Sequence, residues 1–217
     1  MNTHSVTVVK GDPESQLIVL NSFGDEWKKT EEALTSLGRP SHSLLAVTDM
    51  EWEKDLSPWK AAAVFKGEKD FTGGADQYIE VLTKKIIPEA VKANGLNPKA
   101  VYICGYSMAG LFALYSLYKT DMFAGAASCS GSLWFPGFKE FVSDNSFAGT
   151  PSKIYLSLGD REGLTKNQVM AAVENNTRTA AETYKSMNID ILFEMNKGGH
   201  FNEPDMRLAK GIKYLLT

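Results

Sequence analysis

The chain is short of several things, and each shortage excludes something. Its two cysteines, Cys104 and Cys129, stand inside apolar segments, which suits reduced core thiols and argues against both a disulfide framework and a Cys-based metal centre. Three histidines, His4, His42 and His200, lie far apart with no His-x-x-x-His spacing, so no His-based zinc site is expected. Positive charge is in slight deficit, 23 Lys+Arg against 26 Asp+Glu for a net charge of -3. That balance offers nothing to a nucleic-acid backbone or an anionic lipid surface, and neither is expected as a partner. The longest largely apolar run, residues 108–118, is too short and too interrupted to span a bilayer. The opening MNTHSVTVVK has no basic start leading into an apolar stretch, so no secretory leader is expected and the expected location is cytoplasmic. Repeats, low-complexity tracts and Pro/Gly/Ser linkers are also lacking, which leaves one domain over residues 1–217 as the expected organisation.

What is present is an alternation of strands and helices. Residues 5–10 and 16–21 read as two strands joined by GDPES, an antiparallel hairpin at a sheet edge. Residues 25–37 read as a helix with Trp27, Leu34 and Leu37 on one face, stopped by Gly38 and Pro40. A strand over 43–48 follows. Residues 49–72 show no clean period but carry Trp52, Trp59, Phe65 and Phe71, a functional rather than a disordered composition. A helix over 74–93 should kink or break at Pro88. Strands at 100–104, 125–130, 153–158 and 190–195 then alternate with helices near 107–119, 167–187 and 203–216. This order predicts an α/β fold, a mostly parallel sheet with helices on both faces, because parallel neighbours need long crossovers. Its chemistry is expected outside the carboxyl ends of the strands.

At residues 99–110, KAVYICGYSMAG, an apolar strand stops at a serine with small neighbours, and a helical run starts immediately behind it. A nucleophile elbow has this pattern, since the close crossing of strand and helix demands small residues two before and two after the serine. Gly105 and Ala109 meet that demand, although the strict pattern has Gly at the second place. A serine N-cap would also explain Ser107, but a catalytic serine requires an acid after a later strand and a histidine after the last one. The strand running into SLGDRE supplies Asp160 and Glu162, and the strand running into NKGGHF supplies His200. Glu162 is the preferred acid, three residues after the glycine that closes its strand, with Asp160 the alternative. An oxyanion hole would use the Met108 N–H and a second donor from NSFGDEW, Phe23 preferred and Ser22 the alternative. Trp52, Trp59, Trp134 and Phe135 are either the apolar wall of the site or ordinary core aromatics. Glu51, Glu53 and Asp55 make one segment acidic, a feature for a cationic substrate or a solvated face. A phosphate loop is excluded, because Leu111 stands where lysine is needed.

The stretches GYSMAGLFALYSL, SGSLWFPGF, SLGDRE and GGHF, with EWEKDLSPW earlier, resemble the putative esterase branch of the α/β-hydrolases, which holds esterase D-like, feruloyl and enterochelin (siderophore) esterases. The resemblance runs from about residue 17 to 216 and implies an α/β-hydrolase fold. With only a short interval at 132–152 where lids are usually inserted, no large lid is expected. It also implies a serine esterase in which Ser107 is the nucleophile, Glu162 the acid and His200 the base, acting on a small-molecule ester with no metal or organic cofactor. NSFG lacks the His-Gly often found at the oxyanion loop of that branch. A siderophore or hydroxycinnamate esterase is the alternative activity, and a non-catalytic binding protein on a hydrolase scaffold is the alternative of a different class.

Overall fold

Strands that read as continuous apolar runs lie at the centre of the sheet, and the strands richest in exposed residues lie at its two edges. The computed structural model describes residues 4–64 and 66–217; Phe65 lies outside them. In chain order the elements are β1 (Ser5–Val9), β2 (Gln16–Asn21), α1 (Glu26–Ser36), β3 (His42–Thr48), α2 (Trp52–Asp55), β4 (Lys60–Ala61), β5 (Phe71–Thr72), α3 (Ala75–Val81), a π turn (Leu82–Ile86) and α4 (Ile87–Asn94). The second half holds β6 (Val101–Tyr106), α5 (Met108–Leu117), β7 (Gly125–Cys129), α6 (Phe138–Asp144), β8 (Lys153–Gly159), α7 (Gln168–Ala171), α8 (Val173–Ser186), β9 (Asp190–Asn196) and α9 (Pro204–Leu216). Seven strands form one sheet in the order β1-β3-β2-β6-β7-β8-β9, all parallel except β1 against β3.

The predicted β1–β2 hairpin is corrected by this order. β2 is buried along nearly its whole length, so it takes parallel partners on both sides, β3 and β6, whereas half-exposed β1 tolerates an edge and pairs with the far side of β3. The connection between them passes hard against the start of β3: a Cβ on Gly11 would stand 2.0 Å from the His42 carbonyl oxygen. Residues 49–72 are ordered into α2 and the small antiparallel pair β4-β5. The helix expected at 74–93 changes pitch rather than stopping, with the π turn placed just before Pro88, whose missing N–H is harmless in the first turn of α4. The long helix expected at 167–187 is divided at Ala172 into α7 and α8.

Two apolar layers sandwich the sheet. Leu34, Leu208, Ile212 and Leu215 from α1 and α9 cover one face; Tyr78, Leu82, Leu111, Phe112 and Tyr184 from α3, the π turn, α5 and α8 cover the other. Every residue of α5 is buried, which is why its sequence is apolar all round. The chain winds outward from β2 to β3 and, in the other direction, from β6 to β9, so strand order reverses between β2 and β6. A crevice at the carboxyl ends of those two strands is the expected consequence. Their last residues are Asn21 and Tyr106.

Candidate active site

At the end of β6 the backbone turns through Ser107 at φ 58° and ψ -123°, a region costly to any residue with a Cβ. The surroundings hold it there. The Ser107 N–H donates to the Cys129 carbonyl at 3.1 Å, and its own carbonyl accepts from Gly110, Leu111 and Ser132 at 3.0–3.1 Å. The turn is also sterically closed. A Cβ on Gly105 would lie 2.2 Å from the Ala109 carbonyl oxygen and 2.7 Å from the Ala109 methyl. Alanine fits at 109 because residue 105 lacks a side chain.

Ser107, His200 and Glu162, 38 to 93 residues apart in sequence, lie in one line of hydrogen bonds. Ser107 Oγ is 3.1 Å from His200 Nε2, and His200 Nδ1 is 2.7 Å from Glu162 Oε2. An imidazole that donates Nδ1–H to a carboxylate presents its Nε2 lone pair to the hydroxyl. Burial alone would raise the Glu162 carboxyl, but hydrogen bonds from His200 and from the Gly159 N–H, with the neighbouring imidazole charge, outweigh it and hold the group below the ordinary carboxylate value. A carboxylate depressed in the fold contributes stability above its unfolded pKa and loses it as pH falls through the folded one. Acid unfolding of the wild type should therefore start at higher pH than that of Glu162→Gln once both are normalised at pH 7. Parallel pH-unfolding curves would speak against the depression.

Asp160 sits elsewhere. Its Oδ1 accepts the Gly198 N–H at 2.8 Å, which ties down the loop that carries His200. That loop is further fixed by the Tyr106 hydroxyl, donating to the His200 carbonyl at 2.6 Å; burial pushes this phenol up to about 12, so it remains a donor.

The charged centre behind the line was not visible in the sequence. Arg207, on α9, is 1% exposed. Its Nη1 donates to Glu162 Oε1 and to Ser130 Oγ at 2.8 Å, while Nη2 donates to the carbonyls of Lys197 and Gly199 at 3.3 and 3.1 Å. One guanidinium thus grips both the carboxylate and the backbone leading into His200. The available signal was its position: four residues before Gly211 and eight before Leu215, it shares the helix face that packs on the sheet. Ser132 was also missed; it is buried, and its Oγ lies 3.3 Å from Ser107 Oγ.

In front of Ser107 opens a cleft of about 330 Å³ whose walls include Asn21, Phe23, Trp52, His200, Phe201 and Leu208. Trp52 is in that wall, in edge-to-face contact with Phe23 at 5.8 Å. Trp134 lines a small recess behind His200 and Glu162 instead. Trp59 and Phe135 are not at the site: Phe135 is 1% exposed, and Trp59 packs on it, on Tyr115 and on Phe141, with Nε1–H donated to the Pro136 carbonyl. Of the two donors considered on the loop after β2, the Ser22 N–H is committed to the Val47 carbonyl at 2.9 Å. Phe23 stands 64% exposed at the rim. Met108 occupies the first turn of α5, where a backbone N–H has no intrahelical carbonyl to serve it. The acidic stretch is not a simple solvated face, since Asp55 is buried, accepts the Glu51 N–H and lies 3.3 Å from His4 Nε2. Among the described residues no lid covers the cleft, and no helix is long and apolar enough to cross a membrane.

Comparison with known proteins bears on the family and the fold. Uncharacterized protein YbbA of Bacillus subtilis (strain 168) is 23% identical over 167 residues, 75% of this chain and 66% of that protein, so the chain spans about two thirds of its relative's length. The IroE-like serine hydrolase of Shewanella oneidensis has the same fold, with a TM-score of 0.76 at 16% identity over 98% of this chain and 75% of its own. The siderophore hydrolase EstA of Aspergillus nidulans gives 0.72 at 17% identity over 98% and 89%. Residues 25–203, most of the chain, match the family described as Putative esterase. The chain belongs to that family, on the fold that it shares with these hydrolases.

Proposed function

We propose that the chain hydrolyses small or soluble carboxylic esters through Ser107, His200 and Glu162, by way of an acyl-enzyme on Ser107. The observation that carries the reading is the unbroken line from the Ser107 hydroxyl through His200 to Glu162 at 3.1 and 2.7 Å, built on a strained turn that only the surrounding packing sustains. His200 Nε2 takes the Ser107 proton as Oγ bonds to the ester carbonyl carbon. Glu162 keeps the imidazole in the Nδ1–H tautomer and stabilises the imidazolium that forms. The Met108 and Phe23 N–H groups receive the oxyanion. Collapse breaks the ester C–O bond, and the alcohol leaves with the proton returned by His200. Water then adds to the acyl-enzyme, giving its proton to His200, and the acid departs as Ser107 recovers its hydrogen.

The two carboxylates should separate cleanly by mutation. Glu162→Gln is expected to lower kcat on p-nitrophenyl acetate by about 10²–10⁴-fold, by analogy with neutralising a triad acid. Asp160→Asn, which can still accept from Gly198, should remain within about tenfold of the wild type, because loop support is indirect. A larger loss at Asp160 than at Glu162 would transfer the acid role.

A second reading draws support from the cleft's aromatic rim. Phe23 and Phe201 are among the most exposed large apolar side chains described, and both flank Ser107 beside Trp52. Exposed rings offer flat, sequence-independent stacking surfaces, which suits siderophore or hydroxycinnamate esters, and proteins of this fold include a siderophore hydrolase. Assaying a catecholate siderophore and methyl ferulate beside p-nitrophenyl acetate decides it: a kcat/KM advantage of about tenfold or more for either would select this reading.

A further inference from the structure

We infer that the side-chain amide of Asn21 is a catalytic donor that binds the carbonyl oxygen of the ester alongside the Met108 and Phe23 N–H groups. The inference rests on the reading of Ser107 given above. Asn21 ends β2, and its partner in register across the switch point is Gly105, two residues before Ser107. It forms part of the cleft wall together with Ser107 and His200.

The orientation of the amide is set from behind. Asn21 Oδ1 accepts the Tyr78 hydroxyl at 2.6 Å, with both residues only 2% exposed. Burial raises the Tyr78 phenol, so that its oxygen keeps the hydrogen it donates. With Oδ1 so engaged, Nδ2 is left buried and has no hydrogen-bond partner among the described residues. A buried donor left unpaired weighs against the folded state. Pairing with Tyr78 accounts for the oxygen of the amide and not for its nitrogen, so packing alone does not account for an amide here.

Of the two backbone donors considered on the loop after β2, the Ser22 N–H is spent on Val47, and Phe23 is on an exposed rim. The Asn21 amide, seated on a central strand and braced by Tyr78, supplies a buried, fixed donor beside the one on the exposed loop. Preorganised donors of this kind act on charge as it develops and need no reorganisation during the reaction.

The test compares steady-state kinetics on p-nitrophenyl acetate for the wild type, Ser107→Ala, Asn21→Ala, Asn21→Ser and Tyr78→Phe, with folding checked by circular dichroism. Both Asn21 variants are expected to lose about 10²–10³-fold in kcat with KM changed by less than about threefold, the signature of an interaction made in the transition state. Tyr78→Phe frees the amide to rotate and should lose about tenfold. If Asn21→Ala does not fold, the smaller polar Asn21→Ser carries the comparison. Folded Asn21 variants with kcat within about threefold of a wild type that depends on Ser107 would overturn this inference alone. Turnover that survives Ser107→Ala would overturn the Ser107 reading and this inference together.

Discussion

Ser107→Ala is expected to lower kcat on p-nitrophenyl acetate by about 10⁴–10⁶-fold, with His200→Ala equally damaging and the double variant no worse than either. The reasoning is that a weak nucleophile and its base act as one unit: without the base the hydroxyl keeps its proton, and without the hydroxyl the base has nothing to deprotonate. The backbone makes a companion prediction. Ser107 is held at φ 58° by hydrogen bonds to its N–H and its carbonyl, and a residue without a Cβ meets that angle with far less strain. Ser107→Gly should lose the same activity while gaining about 1 kcal/mol or more in stability by urea unfolding. Loss of activity together with loss of stability would mean that the serine is there to hold the turn.

Arg207→Met is expected to be the most destabilising single change at the site. The guanidinium is buried and holds a buried carboxylate, and removing one partner of such a pair costs about 3–5 kcal/mol because the other charge stays out of water, here with His200 and the Gly159 N–H left to hold it. For a chain of this size that corresponds to a fall in Tm of roughly 6–20 °C. Activity should fall as well, because the same group grips the Lys197 and Gly199 carbonyls that lead into His200. Arg207→Lys keeps the charge but cannot span the carboxylate, Ser130 and two carbonyls at once, so it should recover part of the stability and less of the activity. An Arg207→Met protein as stable as the wild type would remove the clamp from this account.

How much of this could be read from residues alone depended on whether local pattern or tertiary contact decided the matter. Ser107, Glu162 and His200 stand out because each follows a strand end, and parallel α/β topology collects strand ends along one rim. The parallel core was legible for the same reason, in apolar runs such as residues 17–20 and 101–104. The place of β1 was not, because GDPES can either reverse the chain or carry it over a neighbour, and the choice belongs to β3. Nor could sequence say which way a large ring faces: Trp52 reaches the cleft while Trp59 and Phe135 join the core, and all three sit in segments of similar composition. Arg207 was hidden by the ordinary expectation that charge on a helix faces water. Asn21 was hidden too, because its meaning lies in Tyr78, 57 residues away.

Covalent labelling reads the central claim most directly. The folded wild type, treated with a fluorophosphonate and analysed by intact mass and peptide mapping, should carry one adduct per chain, on Ser107, and His200→Ala should label far more slowly. An unlabelled wild type that is folded and turning over ester, or an adduct placed on any other residue, would contradict it.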